Sequence, residues 1–116
     1  LGRRWLVCPR IDPTGRHYDL LLEDGESCRT WRLAALPEPG GPAVEVMELA
    51  THRLAWLDHM AGKVSGSRGF ARRVDAGTYE PAAAQCVDPG SIVVALHGQS
   101  ITATFEIRGS ACIRIG

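Results

Sequence analysis

Short apolar runs broken by glycine and proline dominate the chain, and they show little helical periodicity. Alternation at a period of two predicts strands instead. Arg4 to Cys8 reads as the first strand. Pro9 to Gly15 reads as a loop, with Asp12-Pro13-Thr14-Gly15 as its turn. His17 to Glu23 is the second strand, and Asp24-Gly25 is a hairpin signal. Ser27 to Leu33 forms the third, with Cys28, Thr30 and Arg32 alternating against Arg29, Trp31 and Leu33.

Leu36 to Pro42 contains three prolines and two glycines, which predicts a surface loop. Ala43 to Leu49 alternates again, as a strand does. Thr51 to Met60 fits either a strand or a short helical turn. Gly62 to Gly69 is a glycine- and serine-rich loop. Phe70 to Val74 is expected to be a strand closed by Asp75-Ala76-Gly77, with Thr78 and Tyr79 entering the next one. Pro81 to Pro89 reads as irregular. The β-branched runs Ser91 to His97, Ile101 to Ile107 and Ala111 to Ile115 predict a three-stranded meander. About eight short strands in one domain point to a small closed or nearly closed antiparallel β-barrel. Closure removes the exposed edges that so small a sheet could not hide.

The 116 residues are enough for a single core. Thirteen basic and thirteen acidic residues give a net charge of zero, which argues against a non-specific DNA coat. Any nucleic-acid contact must come from a local patch. No apolar run reaches the ~18 residues of a membrane span. No basic segment followed by an apolar one suggests a secretory leader. Cys8, Cys28, Cys86 and Cys112 lie far apart without a paired spacing. They read as reduced, packed thiols of a cytoplasmic protein rather than zinc ligands.

The candidate chemistry starts in the second strand. His17 and Asp19 are two residues apart, so they share a strand face. Such a pair can hold a metal, grip a phosphate or form a structural hydrogen bond. His52 offers a third donor from a distant segment, and histidine with carboxylate suits manganese, iron or zinc. His59 and His97 read as solvated or hydrogen-bonded residues. Gly66-Ser67-Arg68-Gly69 offers backbone N–H groups and a cation that could cradle phosphate, or is a plain hairpin. Arg53, Lys63, Arg68, Arg72 and Arg73 form a basic cluster in sequence.

A longer pattern joins these pieces. His17-Tyr18-Asp19 is followed by Leu22-Glu23, Gly25 and Trp31; then come His52-Arg53-Leu54, Gly62-Lys63-Val64, Gly66, Gly69 and Asp75-Ala76-Gly77-Thr78-Tyr79. In order and spacing this resembles the 3′-phosphoesterase domain of bacterial DNA ligase D. The resemblance implies a small β-barrel with a manganese-dependent site. It implies removal of a 3′-ribonucleoside or 3′-phosphate from DNA ends or primer strands, beside ligase, polymerase and the Ku end-binding protein. Residue by residue, it places Asp19 and His52 as metal ligands and His17 at the phosphate. Arg53 and Arg68 would add phosphate contacts. Trp56 falls where the family has a tyrosine near its site.

Several family residues are replaced. A histidine ligand falls at Ile11, a phosphate-gripping arginine at Leu21, a lysine at Ala35 and a further arginine at Val44. Asp12 is the nearest substitute for the lost ligand, whereas Glu23 lies roughly 13 Å along the strand from Asp19. Two readings follow. One is a metal-dependent hydrolase of 3′ ends; the other is a barrel that has lost catalysis and binds DNA ends or repair proteins. A small-ligand barrel unrelated to repair is a third. No membrane partner and a monomeric state are expected.

Overall fold

A computed structural model describes residues 3–13, 15–57, 75–82 and 91–116, with the side chains of Arg10, Ile11 and Asp12 outside the described set. Eight strands are present: β1 (Arg3–Asp12), β2 (Gly15–Asp24), β3 (Ser27–Leu33), β4 (Val44–Arg53), β5 (Asp75–Pro81), β6 (Ser91–Gly98), β7 (Thr102–Arg108) and β8 (Ala111–Arg114). They close into an antiparallel barrel in the order β1-β2-β3-β4-β8-β7-β6-β5. Two meanders build it. The first runs β1 to β4, and the second runs from β5 beside β1 back to β8 beside β4. The β4–β8 seam is short, with Val44 opposite Cys112 and Glu45 opposite Ala111.

Inward-facing side chains of the strands fill the interior. Trp5, Leu20, Leu22, Trp31, Leu33, Tyr79, Leu96 and Phe105 belong to one buried cluster. The β2–β3 hairpin sets the register that matters for the site. Gly25 takes the positive φ (67°) that the loop between Asp24 and Ser27 needs. Asp24 then faces Ser27, Leu21 faces Thr30 and Asp19 faces Arg32.

Two expectations change, and the open reading of Thr51 to Met60 is resolved as far as residue 57. Pro9 to Asp12 is strand rather than loop, and only the tip at Pro13 and Thr14 lies between β1 and β2. Pro9 pairs with Tyr18 of β2 within this strand. The Thr51 to Met60 segment divides: β4 continues to Arg53, then a short helical turn spans residues 55–57. Asp75-Ala76-Gly77 is the start of strand β5 rather than a turn. The expected Phe70 to Val74 strand lies outside the described residues.

Asp75 explains its own placement. Its carboxylate is 2% exposed. It accepts backbone N–H groups from Ala76, Gln99, Ser100 and Ile101, at 2.9, 3.0, 2.9 and 2.6 Å respectively. It therefore ties the start of β5 to the turn between β6 and β7. Burial alone would raise its pKa, but the N–H groups of Ser100, Ile101, Ala76 and Gln99 outweigh it and hold the carboxyl below its ordinary range.

Cys8, Cys28 and Cys112 are buried and unbridged. Burial pushes the Cys112 thiol up to about 12. Cys86 lies outside the described residues. No helix among the described residues is long and apolar enough to cross a membrane.

Candidate functional site

Strands β2 and β4 carry His17, Asp19 and His52 on the outside of the barrel. Leu20 and Leu22 point into the core, so His17, Asp19, Leu21 and Glu23 face outward. The predicted pairing of His17 and Asp19 on one face is thus present. Asp19 is nevertheless only 3% exposed. Arg32 lies directly across from it on β3, and its Nε donates to Asp19 Oδ1 at 3.2 Å. The carboxylate therefore has a cation against it from the neighbouring strand.

Beside this pair lies an open cleft of about 280 Å³ lined by His17, Arg32, Glu45, Met47 and Ser110. His17 is half-buried, and the Arg32 side chain is 25% exposed. A histidine, a guanidinium and one carboxylate, Glu45, so share one small depression. A second depression of similar size lies at a barrel mouth, among Arg3, Trp31, Tyr79 and Ile92. None of the sequence candidates lines it.

His52 belongs to a different part of the face. It stands on β4 opposite Cys28. Its Nδ1 is 2.9 Å from Thr30 Oγ1, and its ring meets Trp56 edge-on at 5.5 Å between centroids. The register between β3 and β4 shifts between Cys28 and Thr30, which brings His52 to the Thr30 hydroxyl. Trp56 is thus close to a candidate residue. Between His52 and Asp19 lies β3, so the two stand two strands apart, roughly 10 Å laterally at ~4.8 Å per strand. Side chains on the convex outside of a barrel also splay apart rather than converge.

Leu21 stands where the resemblance would put an arginine. It is 2% exposed and packs with Leu6, Cys28 and Leu57 in a second apolar cluster, with Leu54 and Trp56 alongside. The turn that follows β4 covers this part of the outer face. An arginine at residue 21 would have to push its guanidinium out from under Leu57.

The remaining candidates are dispersed. Arg53 is exposed and, next to His52 in an extended chain, alternates to the other face. Asp12 ends β1 opposite Gly15 and its side chain is outside the described residues. Arg68 and His59 are outside them as well. His97 is exposed, with Nε2 3.5 Å from Glu80 Oε2.

Manganese needs a convergent set of oxygen and nitrogen donors. Among the described residues, no group of three or more His, Cys, Asp and Glu could hold an ion. Asp19 and His52 alone do not fit the metal that the resemblance implies, because they are laterally separated and Asp19 already has a guanidinium partner.

Arg32 and Thr30 are the residues that sequence reasoning passed over. The signal was available for Arg32. A two-residue loop at Gly25-Glu26 makes Asp24 face Ser27, and counting back along both strands makes Asp19 face Arg32. The chain matches no family model and no curated protein sequence.

Proposed function

We propose that this barrel is a divergent relative of the ligase D 3′-phosphoesterase domain that binds phosphorylated DNA 3′ ends without hydrolysing them. One observation carries this reading: Asp19, at a position the resemblance gives to a metal ligand, is buried against Arg32 instead. The eight-stranded closed barrel agrees with the fold the resemblance implies. The Asp75-Ala76-Gly77-Thr78-Tyr79 segment also has a physical reason to keep its pattern. Asp75 binds the β6–β7 turn, Gly77 approaches the β6 backbone, and Tyr79 enters the core and donates its hydroxyl to the Glu23 carbonyl. On this reading the protein works in the cytoplasm in end joining, beside ligase, polymerase or Ku.

Fluorescence anisotropy with a 3′-phosphorylated primer–template tests the proposal. Two phosphate contacts would lower the affinity about tenfold between ~50 and ~200 mM salt. With manganese added, no inorganic phosphate should be released. Absence of binding at ~50 mM salt overturns the proposal. Phosphate release that disappears in His52→Ala replaces it with the hydrolase reading.

A further inference from the structure

The inner rows of three strands end on charged residues at one mouth of the barrel. Arg3 follows the parity of Trp5 and Val7 on β1, Asp24 that of Leu20 and Leu22 on β2, and Arg29 that of Trp31 and Leu33 on β3. These three residues line the depression of about 280 Å³ that Trp31, Tyr79, Ile92 and Val94 also line. We propose that this mouth is a binding site for a small uncharged aromatic molecule of one or two rings. The site is separate from the outer face of β2 and β3 and independent of the DNA-end reading.

Size and rigidity support this. An eight-stranded barrel has an interior just wide enough for side chains or for one small ligand. A cavity of ~150 Å³ lined by apolar side chains holds benzene. At about 280 Å³, the depression has room for one or two fused rings. Its aromatic walls are held in place, which keeps them from collapsing into the space. The Tyr79 hydroxyl donates to the Glu23 carbonyl at 2.5 Å. The Arg29 guanidinium lies over the Trp31 ring, 4.7 Å from its centroid. Glu48 of β4 fixes it there through two bonds of 3.0 and 3.1 Å. The two aromatic walls offer the offset and edge-on contacts that a flat ring uses better than an aliphatic chain does.

The charges at the mouth select against ions. Arg29 is neutralised by Glu48, and Arg3 and Asp24 add one charge of each sign. An anion meets Asp24 and a cation meets Arg3, so an ionised ligand loses hydration without a net attraction. An uncharged ring loses little water and gains apolar contact with Trp31, Tyr79, Ile92 and Val94.

The test is a titration of the isotopically labelled protein with indole, followed by amide NMR shifts. Indole should bind saturably, with a Kd of about 0.1–1 mM for so small a ligand. Its shifts should centre on Leu22, Trp31, Tyr79 and Val94. Ile92 is only partly buried, so Ile92→Trp should fill the mouth, melt as a folded barrel and weaken indole binding at least tenfold. Ile92→Phe adds less volume and should weaken it several-fold; it decides the matter in the same way if Ile92→Trp does not fold. Indole-3-acetate and tryptamine should bind no tighter than indole. The inference is overturned by a wild type without saturable indole shifts, or by a folded Ile92 variant that binds indole as the wild type does. Either charged analogue binding at least tenfold tighter than indole also overturns it.

Discussion

Asp75→Ala is expected to destabilise the barrel by about 3–4 kcal/mol. One carboxylate serves four backbone N–H groups from two separate segments. Removing it strands those donors, at roughly 1–3 kcal/mol for each that stays buried. Gln99 and Ser100 are exposed and can turn to water, whereas Ala76 and Ile101 are partly buried and cannot do so freely. The estimate therefore lies below the sum for four donors. Asp75→Asn keeps an acceptor and should lose less. Urea unfolding of the three proteins at pH 7 measures the order. The pH dependence has a definite sign. A carboxyl held below its ordinary value stabilises the fold above the unfolded-state pKa, near 3.8, and loses that contribution as the pH falls through the folded value. The gap between wild type and Asp75→Asn should thus be widest above about pH 5 and should narrow at pH 2–3. A gap that stays constant over this range would contradict the role assigned to the carboxylate.

Gly77→Ala is expected to cost about 3 kcal/mol or more, measured by the same unfolding experiment. A Cβ at residue 77 would collide with the His97 carbonyl oxygen and lie 2.8 Å from Gly98 Cα and 2.9 Å from the His97 carbonyl carbon. All three are backbone atoms, so no side chain can swing away and β5 must separate from β6. Inserted methyl groups in packed regions commonly cost ~1–3 kcal/mol, and contact with backbone belongs at the upper end. The space serves Trp5. Its indole Nε1 lies 3.4 Å from the His97 carbonyl, and a Cβ on Gly98 would meet its ring at 2.7 Å. The Gly77–Gly98 pair is thus where two strands approach so that the Trp5 indole can lie over them. A melting temperature for Gly77→Ala equal to the wild type would contradict this.

Both residues sat in a segment that the sequence pattern placed as a turn. Asp-Ala-Gly is local turn chemistry, and only the tertiary fold turns the Asp75 carboxylate toward the β6–β7 turn instead. The barrel itself was legible, because β-branched runs between glycines and prolines leave an eight-stranded sheet no other way to hide its edges. Pro9 was less so, because proline signals a break, yet β1 continues through it in register with β2. At the site, the shared face of His17 and Asp19 followed from period two. Arg32 opposite Asp19 was passed over, although the hairpin loop fixes the count that places it there. His52 could not be placed this way, because residues 34–43 separate β3 from β4 and the register shift at Cys28/Thr30 is a tertiary feature. The same holds for Leu21: its burial depends on Leu57 folding back over the sheet.

The outer face of β2 and β3 therefore has two parts. An apolar cluster lies where the resemblance would put a cation, and Asp19 is buried against Arg32. The most direct test compares two primer–templates, identical except for a 3′-phosphate or a 3′-hydroxyl, in EDTA. If the barrel recognises phosphorylated 3′ ends, the phosphorylated end should bind at least tenfold tighter than the hydroxyl end. Equal affinity of the wild type for the two ends would contradict terminal-phosphate recognition.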